Sequence, residues 1–102
     1  MGIFSFFRSG TIRSALKRGA IVVDVRTAHE FDSGKVPGSI NIPIDRLSIN
    51  INRILDLKKP VIFCCESGAR SGQALSIMKQ KGMMEVYNGG SWKDVLRVIK
   101  SM

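Results

Sequence analysis

The sequence is short of cysteine, histidine and aromatic residues, and each shortage removes a class of function. Only two cysteines occur, Cys64 and Cys65, and they are neighbours in the chain. A bridge between neighbours would close a strained ring, so no disulfide framework is expected, and a reducing compartment, the cytoplasm, is. The single histidine cannot build a metal site with these thiols at any familiar spacing, so neither a metal nor another cofactor is expected. Aromatics make up only 7% of the residues and the basic residues are scattered rather than blocked, so no stacking platform for nucleic acid is expected. Long apolar runs are lacking too. The opening MGIFSFFRSG is apolar only from Ile3 to Phe7, too short for a secretory leader or a membrane span. Phe6 stands where a myristoylation signal needs Ser or Thr, and no membrane contact is expected.

What is present fits one ordinary folded domain over residues 1–102, with residues 1–10 as a lead-in. The chain has 102 residues, 44% hydrophobic and 24% charged, enough for one core. Its net charge is +8, a surplus that concentrates small anions around it.

Ile3 to Phe7 reads either as a short edge strand or as an apolar segment packed on the core. Ile12, Ala15 and Leu16 then recur at helical spacing until Gly19. Ala20 to Val25, AIVVDV, predicts a strand buried on both faces, interrupted by Asp24 near its carboxyl end. Thr27 and Glu30 form a capping-box pattern for a short helix ending at Gly34. Ser39 to Ile42 alternates like a strand and stops at Pro43. Asp45 suits the cap of a helix whose inner face is Leu47, Ile51, Ile54 and Leu55. After a central strand, Ala74, Leu75, Ile77 and Met78 line another helix, closed by Gly82. Met84 to Tyr87 predicts a last strand and Asn88-Gly89-Gly90 a turn. Ser91 and Asp94 open a final helix with Trp92, Val95, Leu96 and Ile99 inward. Strands alternating with helices predict an α/β fold, a small parallel sheet of four or five strands with helices on both faces. Ligands of such sheets bind at the carboxyl ends of the strands.

The central stretch, Val61 to Ser71, reads VIFCCESGARS. Val61 to Cys64 form the strand, Cys65 opens a loop, and a helix begins near Ser71. The amides of residues 66–70 can curl into an anion nest, and amides and helix dipole together lower a thiol's pKa. Arg70 suits an oxyanion or braces the loop. Arg26 suits pairing with Asp24 or Glu30 to fix the following turn, or else adds positive charge to the pocket, and Asp24 reads as part of the same ion pairing. His29 reads as a helix-surface residue and Trp92 as core.

Five segments resemble single-domain rhodaneses, in that family's order: Asp24-Val25-Arg26, Glu30-Phe31, Gly34 to Pro43, Cys65 to Ser71, and Asn88 to Trp92. The resemblance implies a rhodanese-like fold and a sulfurtransferase. In that chemistry Cys65 is the nucleophile and takes sulfane sulfur from thiosulfate, a persulfide or a polysulfide. The loop Glu66, Ser67, Gly68, Ala69 and Arg70 holds the anion, with Asp24, Arg26 and Ser71 in support. The implied partners are a small anionic sulfur donor, a cyanide or thiol acceptor and a sulfur-accepting protein. Lys35 departs from a frequent His. Glu66 departs from a frequent Arg: an acidic residue beside the nucleophile either disfavours a dianionic donor and suits a persulfide or polysulfide better, or simply points to solvent. Counted from Cys64, Arg70 instead completes the longer loop of cysteine-dependent phosphatases and arsenate reductases. That register, and a rhodanese fold used without turnover, are the alternatives.

Overall fold

The computed structural model describes residues 2–102, with side chains described from Ser9 onward. In chain order the elements are α1 (Gly2–Lys17), β1 (Ile21–Asp24), α2 (Ala28–Asp32), β2 (Ile40–Asn41), a 3-10 segment (Ile44–Asn50), α3 (Ile51–Leu55), β3 (Val61–Cys65), α4 (Ala69–Gln80), β4 (Val86–Ser91) and α5 (Trp92–Lys100). The four strands form one parallel sheet in the order β2-β1-β3-β4.

The β-branched run of β1 and the apolar run of β3 take the two central positions. All five β3 residues are buried. Successive strand residues point to opposite faces, so each face receives its own core. Val61, Phe63 and Cys65 join one cluster with Val23, Leu47, Ile54, Ala74 and Met78, under the 3-10 segment, α3 and α4. Ile62 and Cys64 join the other with Ile12, Ala15, Val22, Val95 and Val98, under α1 and α5. Burial of each large aliphatic or aromatic side chain here contributes about 1.5–3 kcal/mol.

Several expected elements take another form. The segment Ile3 to Phe7 lies within α1 rather than on a sheet edge. The expected strand from Ser39 to Ile42 shrinks to Ile40–Asn41, because only those residues pair with β1. Asp45 caps nothing: the segment begins after Pro43 as a tighter 3-10 turn and becomes α-helical only at Ile51. The expected turn at Asn88-Gly89-Gly90 lies inside β4. There the pairing with β3 shifts register: Phe63 faces Asn88 but Cys64 faces Gly90, leaving Gly89 as the extra residue of a bulge. A Cβ on Gly89 would lie 2.6 Å from Val95 Cγ2 and 2.8 Å from Ile62 Cγ2, so only glycine fits between those side chains. The Thr27–Glu30 capping box forms in full. Ser91 caps α5 by accepting from the Lys93 amide.

Candidate active site

Cys65 is the last residue of β3, at the carboxyl edge of the sheet, and one residue further into the strand than its pattern predicts. The chain then reverses at Gly68, whose φ of +102° suits only a residue without a side chain, and α4 starts at Ala69. That reversal aims two amides at the thiol. The Gly68 N–H donates to Sγ at 3.0 Å, and the Ser71 N–H at 3.4 Å. Ser71 Oγ lies 3.4 Å from the same sulfur. The positive end of α4 adds its dipole.

The loop is held from behind by β4. Asn88 Nδ2 donates to the Gly68 carbonyl at 3.1 Å, and Asn88 Oδ1 accepts from Ser71 Oγ at 2.7 Å and from the Gly90 amide at 2.9 Å. A Cβ on Gly68 would sit 3.3 Å from Gly90 Cα, so two glycines let loop and strand approach. Asn88 belongs to the quoted Asn88-to-Trp92 segment, yet nothing in the sequence distinguishes it from a turn-former. The bulge after it brings it to the loop.

Burial pushes the Cys65 thiol up, but the Ser71 hydroxyl and the amides of Ser71, Gly68 and Ser67 outweigh it, and the pKa falls below the ordinary thiol value. The amides carry this effect more securely than the hydroxyl. Ser71 has one hydroxyl hydrogen, and at 2.7 Å it is engaged by Asn88. In the neutral state the thiol therefore donates to Ser71 Oγ. On ionisation the Ser71 hydrogen must turn toward sulfur, while Asn88 Oδ1 keeps the Gly90 amide. Cys64 behaves oppositely. It lies in the other core cluster, and burial together with the Asp24 charge pushes its thiol up, keeping it protonated.

Asp24 and Arg26 form a buried ion pair, with Arg26 Nη2 2.7 Å from Asp24 Oδ2 and Nε 3.0 Å from both carboxylate oxygens. The remaining guanidinium donors reach the carbonyls of Glu30 at 3.2 Å and Gly34 at 2.6 Å, and the Trp92 ring lies 4.8 Å from the guanidinium carbon. Each of the three guanidinium nitrogens has a hydrogen-bond partner, which is what makes a buried charge tolerable. Arg70 lies in the first turn of α4 rather than in the loop expected for residues 66–70, and its guanidinium forks onto the Glu30 carboxylate of α2. Arg70 first, then the Thr27 amide, hold that carboxyl down to about 2.

Among the expected site residues, Ser67, Gly68 and Ser71 bear on the thiol, Arg70, Asp24 and Arg26 form the frame, and Ala69 is exposed. Glu66 projects outward, with its nearest cation, Arg26 Nη1, 3.9 Å away. Beside it opens a cleft of about 320 Å³ lined by Arg26, His29, Glu30, Ser33, Gly34, Glu66, Trp92 and Lys93. Trp92 is thus only half-buried and belongs to the cleft rather than wholly to the core. Among the described residues no cluster of His, Cys, Asp and Glu could hold a metal ion, and no helix is long and apolar enough to cross a membrane.

A parallel sheet carrying an amide-cradled cysteine between its third strand and the following helix defines the class. Residues 10–95 match the rhodanese-like domain, and the chain belongs to that family. It is 38% identical over 71 residues to the uncharacterized protein YqhL of Bacillus subtilis, a match covering 70% of this chain and 56% of that protein. It is 34% identical to the thiosulfate sulfurtransferase PspE of Escherichia coli, over 72% of this chain and 71% of the relative. A solved structure of an E. coli rhodanese with anions superposes with a TM-score of 0.69 at 32% identity, covering 74% of this chain and 91% of that one.

Proposed function

We propose that this chain is a sulfurtransferase that carries sulfane sulfur on Cys65. The thiolate attacks the outer sulfur of a donor. With thiosulfate, the S–S bond breaks, sulfite leaves with the bonding pair, and the enzyme retains a persulfide, Cys65–S–S⁻. In the second half-reaction cyanide or a thiolate attacks the terminal sulfur and regenerates the Cys65 thiolate, releasing thiocyanate or a new persulfide. Two half-reactions through a covalent enzyme give ping-pong kinetics. No external oxidant or reductant is consumed.

The observation that carries this reading is the convergence of the Gly68 and Ser71 amides on Cys65 Sγ. The same donors stabilise the attacking thiolate and, after transfer, the negative charge of the persulfide. The relative named a thiosulfate sulfurtransferase supports the same chemistry. The position of Cys64 on the opposite sheet face, with its thiol held protonated, argues against the longer phosphatase register.

The test is intact-mass analysis after treatment with thiosulfate or polysulfide, alongside aryl phosphate hydrolysis. The expected result is a gain of one sulfur atom on the peptide containing Cys65, discharge by cyanide, and no cysteine-dependent phosphatase turnover. Phosphatase turnover without persulfide formation overturns the reading in favour of the Cys64 register. Neither activity in the folded protein overturns it in favour of a fold used without turnover.

A further inference from the structure

The cleft beside the catalytic loop has a charge pattern that bears on the donor, and this inference rests on the sulfurtransferase reading. The protein as a whole carries +8, but the cleft does not share that surplus. Its lining offers two cations, Arg26 and Lys93, against two carboxylates, Glu30 and Glu66. Two of these are already committed. Arg26 is locked onto buried Asp24, and Glu30 is forked by Arg70. Glu66 is left with only a 3.9 Å approach to Arg26, and Lys93, which makes no ion pair among the described residues, has its ammonium 5.7 Å from the Trp92 ring. The cleft therefore presents one available negative charge, one available positive charge and an indole wall.

A dianion such as thiosulfate gains little from such a lining, since the two available charges act on it with opposite sign. A molecule carrying both an ammonium and a carboxylate matches it. The volume, about 320 Å³, lies near the bottom of the range for small-molecule sites, roughly 300–1,000 Å³. Glu66 of the lining opens the loop that follows Cys65, and Glu30 of the lining is held by Arg70 at the start of α4, so the cleft borders the segment that cradles the thiol.

We propose that this cleft is the donor site for a zwitterionic aminothiol persulfide, with Glu66 facing its ammonium and Lys93 its carboxylate. The transfer is balanced: Cys65–S⁻ attacks the terminal sulfur of R–S–S⁻, a bond forms between the two sulfurs, the donor's S–S bond breaks, and R–S⁻ leaves with the electron pair. Glu66 and Lys93 set specificity and take no part in bond making.

The experiment compares initial rates of Cys65 loading from four donors: cysteine persulfide, N-acetylcysteine persulfide, which lacks the ammonium, cysteamine persulfide, which lacks the carboxylate, and inorganic polysulfide. Each rate is divided by the same donor's rate with free 2-mercaptoethanol to remove intrinsic reactivity. Cysteine persulfide is expected to exceed each truncated donor by roughly two- to fivefold, the scale of a solvent-exposed ion pair. Glu66→Gln should slow cysteine and cysteamine persulfides but not N-acetylcysteine persulfide. Lys93→Gln should slow cysteine and N-acetylcysteine persulfides but not cysteamine persulfide. Equal normalised rates for the three organic donors, or variants that slow all three alike, overturn the proposal and leave sulfur transfer standing. No loading from any donor, inorganic polysulfide included, overturns both.

Discussion

Arg70 and Glu30, 40 residues apart in the chain, are joined by two hydrogen bonds of 2.7 and 3.0 Å. This fork ties the first turn of α4 to helix α2. It also means that this arginine spends its charge on a carboxylate within the fold. A negative charge on Cys65 is then met by the Ser71 hydroxyl and the backbone amides.

The fork gives stability a defined pH dependence. Glu30 has its carboxyl depressed from 4.5 to about 2 in the folded chain. A depressed carboxylate contributes its full stabilisation above the unfolded value and loses it as pH falls through the folded one. Glu30→Gln keeps a residue able to complete the Thr27 capping box while removing the charge. The variant should be less stable than the parent by about 1 kcal/mol or less near neutral pH, given that the pair is partly exposed to solvent. The difference should shrink below about 4.5 and vanish near 2. Urea denaturation across that window measures it.

The two cysteines should separate cleanly on substitution. Cys65→Ser should form no persulfide. Cys64→Ser should retain most sulfur transfer and lose about 1–3 kcal/mol of stability from burying a hydroxyl. A folded but inactive Cys64→Ser beside an active Cys65→Ser would reverse the assignment. Intact mass and thermal denaturation of both proteins decide it.

Cys65 should alkylate with iodoacetamide at a midpoint below the ordinary thiol value, following the direction of its shift. Ser71→Ala removes the hydroxyl but keeps the amide, so the midpoint should rise without returning to that of a free thiol. The amides of Ser71, Gly68 and Ser67 keep part of the depression when the hydroxyl is gone. A midpoint unmoved by Ser71→Ala would assign the whole depression to the amides.

Gly68→Ala places a side chain at φ +102° and within 3.3 Å of Gly90 Cα. The left-handed conformation alone costs about 1–2 kcal/mol. Relaxing the backbone at this position moves the Gly68 amide that donates to Sγ. Lower stability and slower persulfide formation should therefore appear together, measured by denaturation and by loading from polysulfide.

Local patterns account for most of what the sequence made legible. The AIVVDV and VIFCC runs, the Thr27–Glu30 box and the stripe from Ala74 to Met78 are contiguous signals, and the parallel sheet follows from their alternation. Cys65 and Ser71 were legible because they lie in one continuous segment. The Asn88-Gly89-Gly90 strand was not, because its residues favour turns. They are in a strand because Gly89 alone fits against Val95 and Ile62, a long-range fact. The Glu30–Arg70 fork, the role of Asn88 and the place of Trp92 in the cleft likewise depend on contacts between distant segments.

The alternation that turns Cys64 and Cys65 to opposite faces of the sheet also governs how the protein withstands oxidation. A thiolate oxidised to sulfenic acid is commonly rescued by a second thiol that condenses with it and stops the ladder toward sulfinic acid. Cys64 is adjacent in sequence, but it points into the opposite core and stays protonated. It cannot serve as that resolving partner. Protection of Cys65 then falls to a small thiol or a second protein or, if the proposed sulfur transfer operates, to the transferred sulfur itself: a persulfide on Cys65 would meet oxidants through its terminal sulfur, which an acceptor could take away.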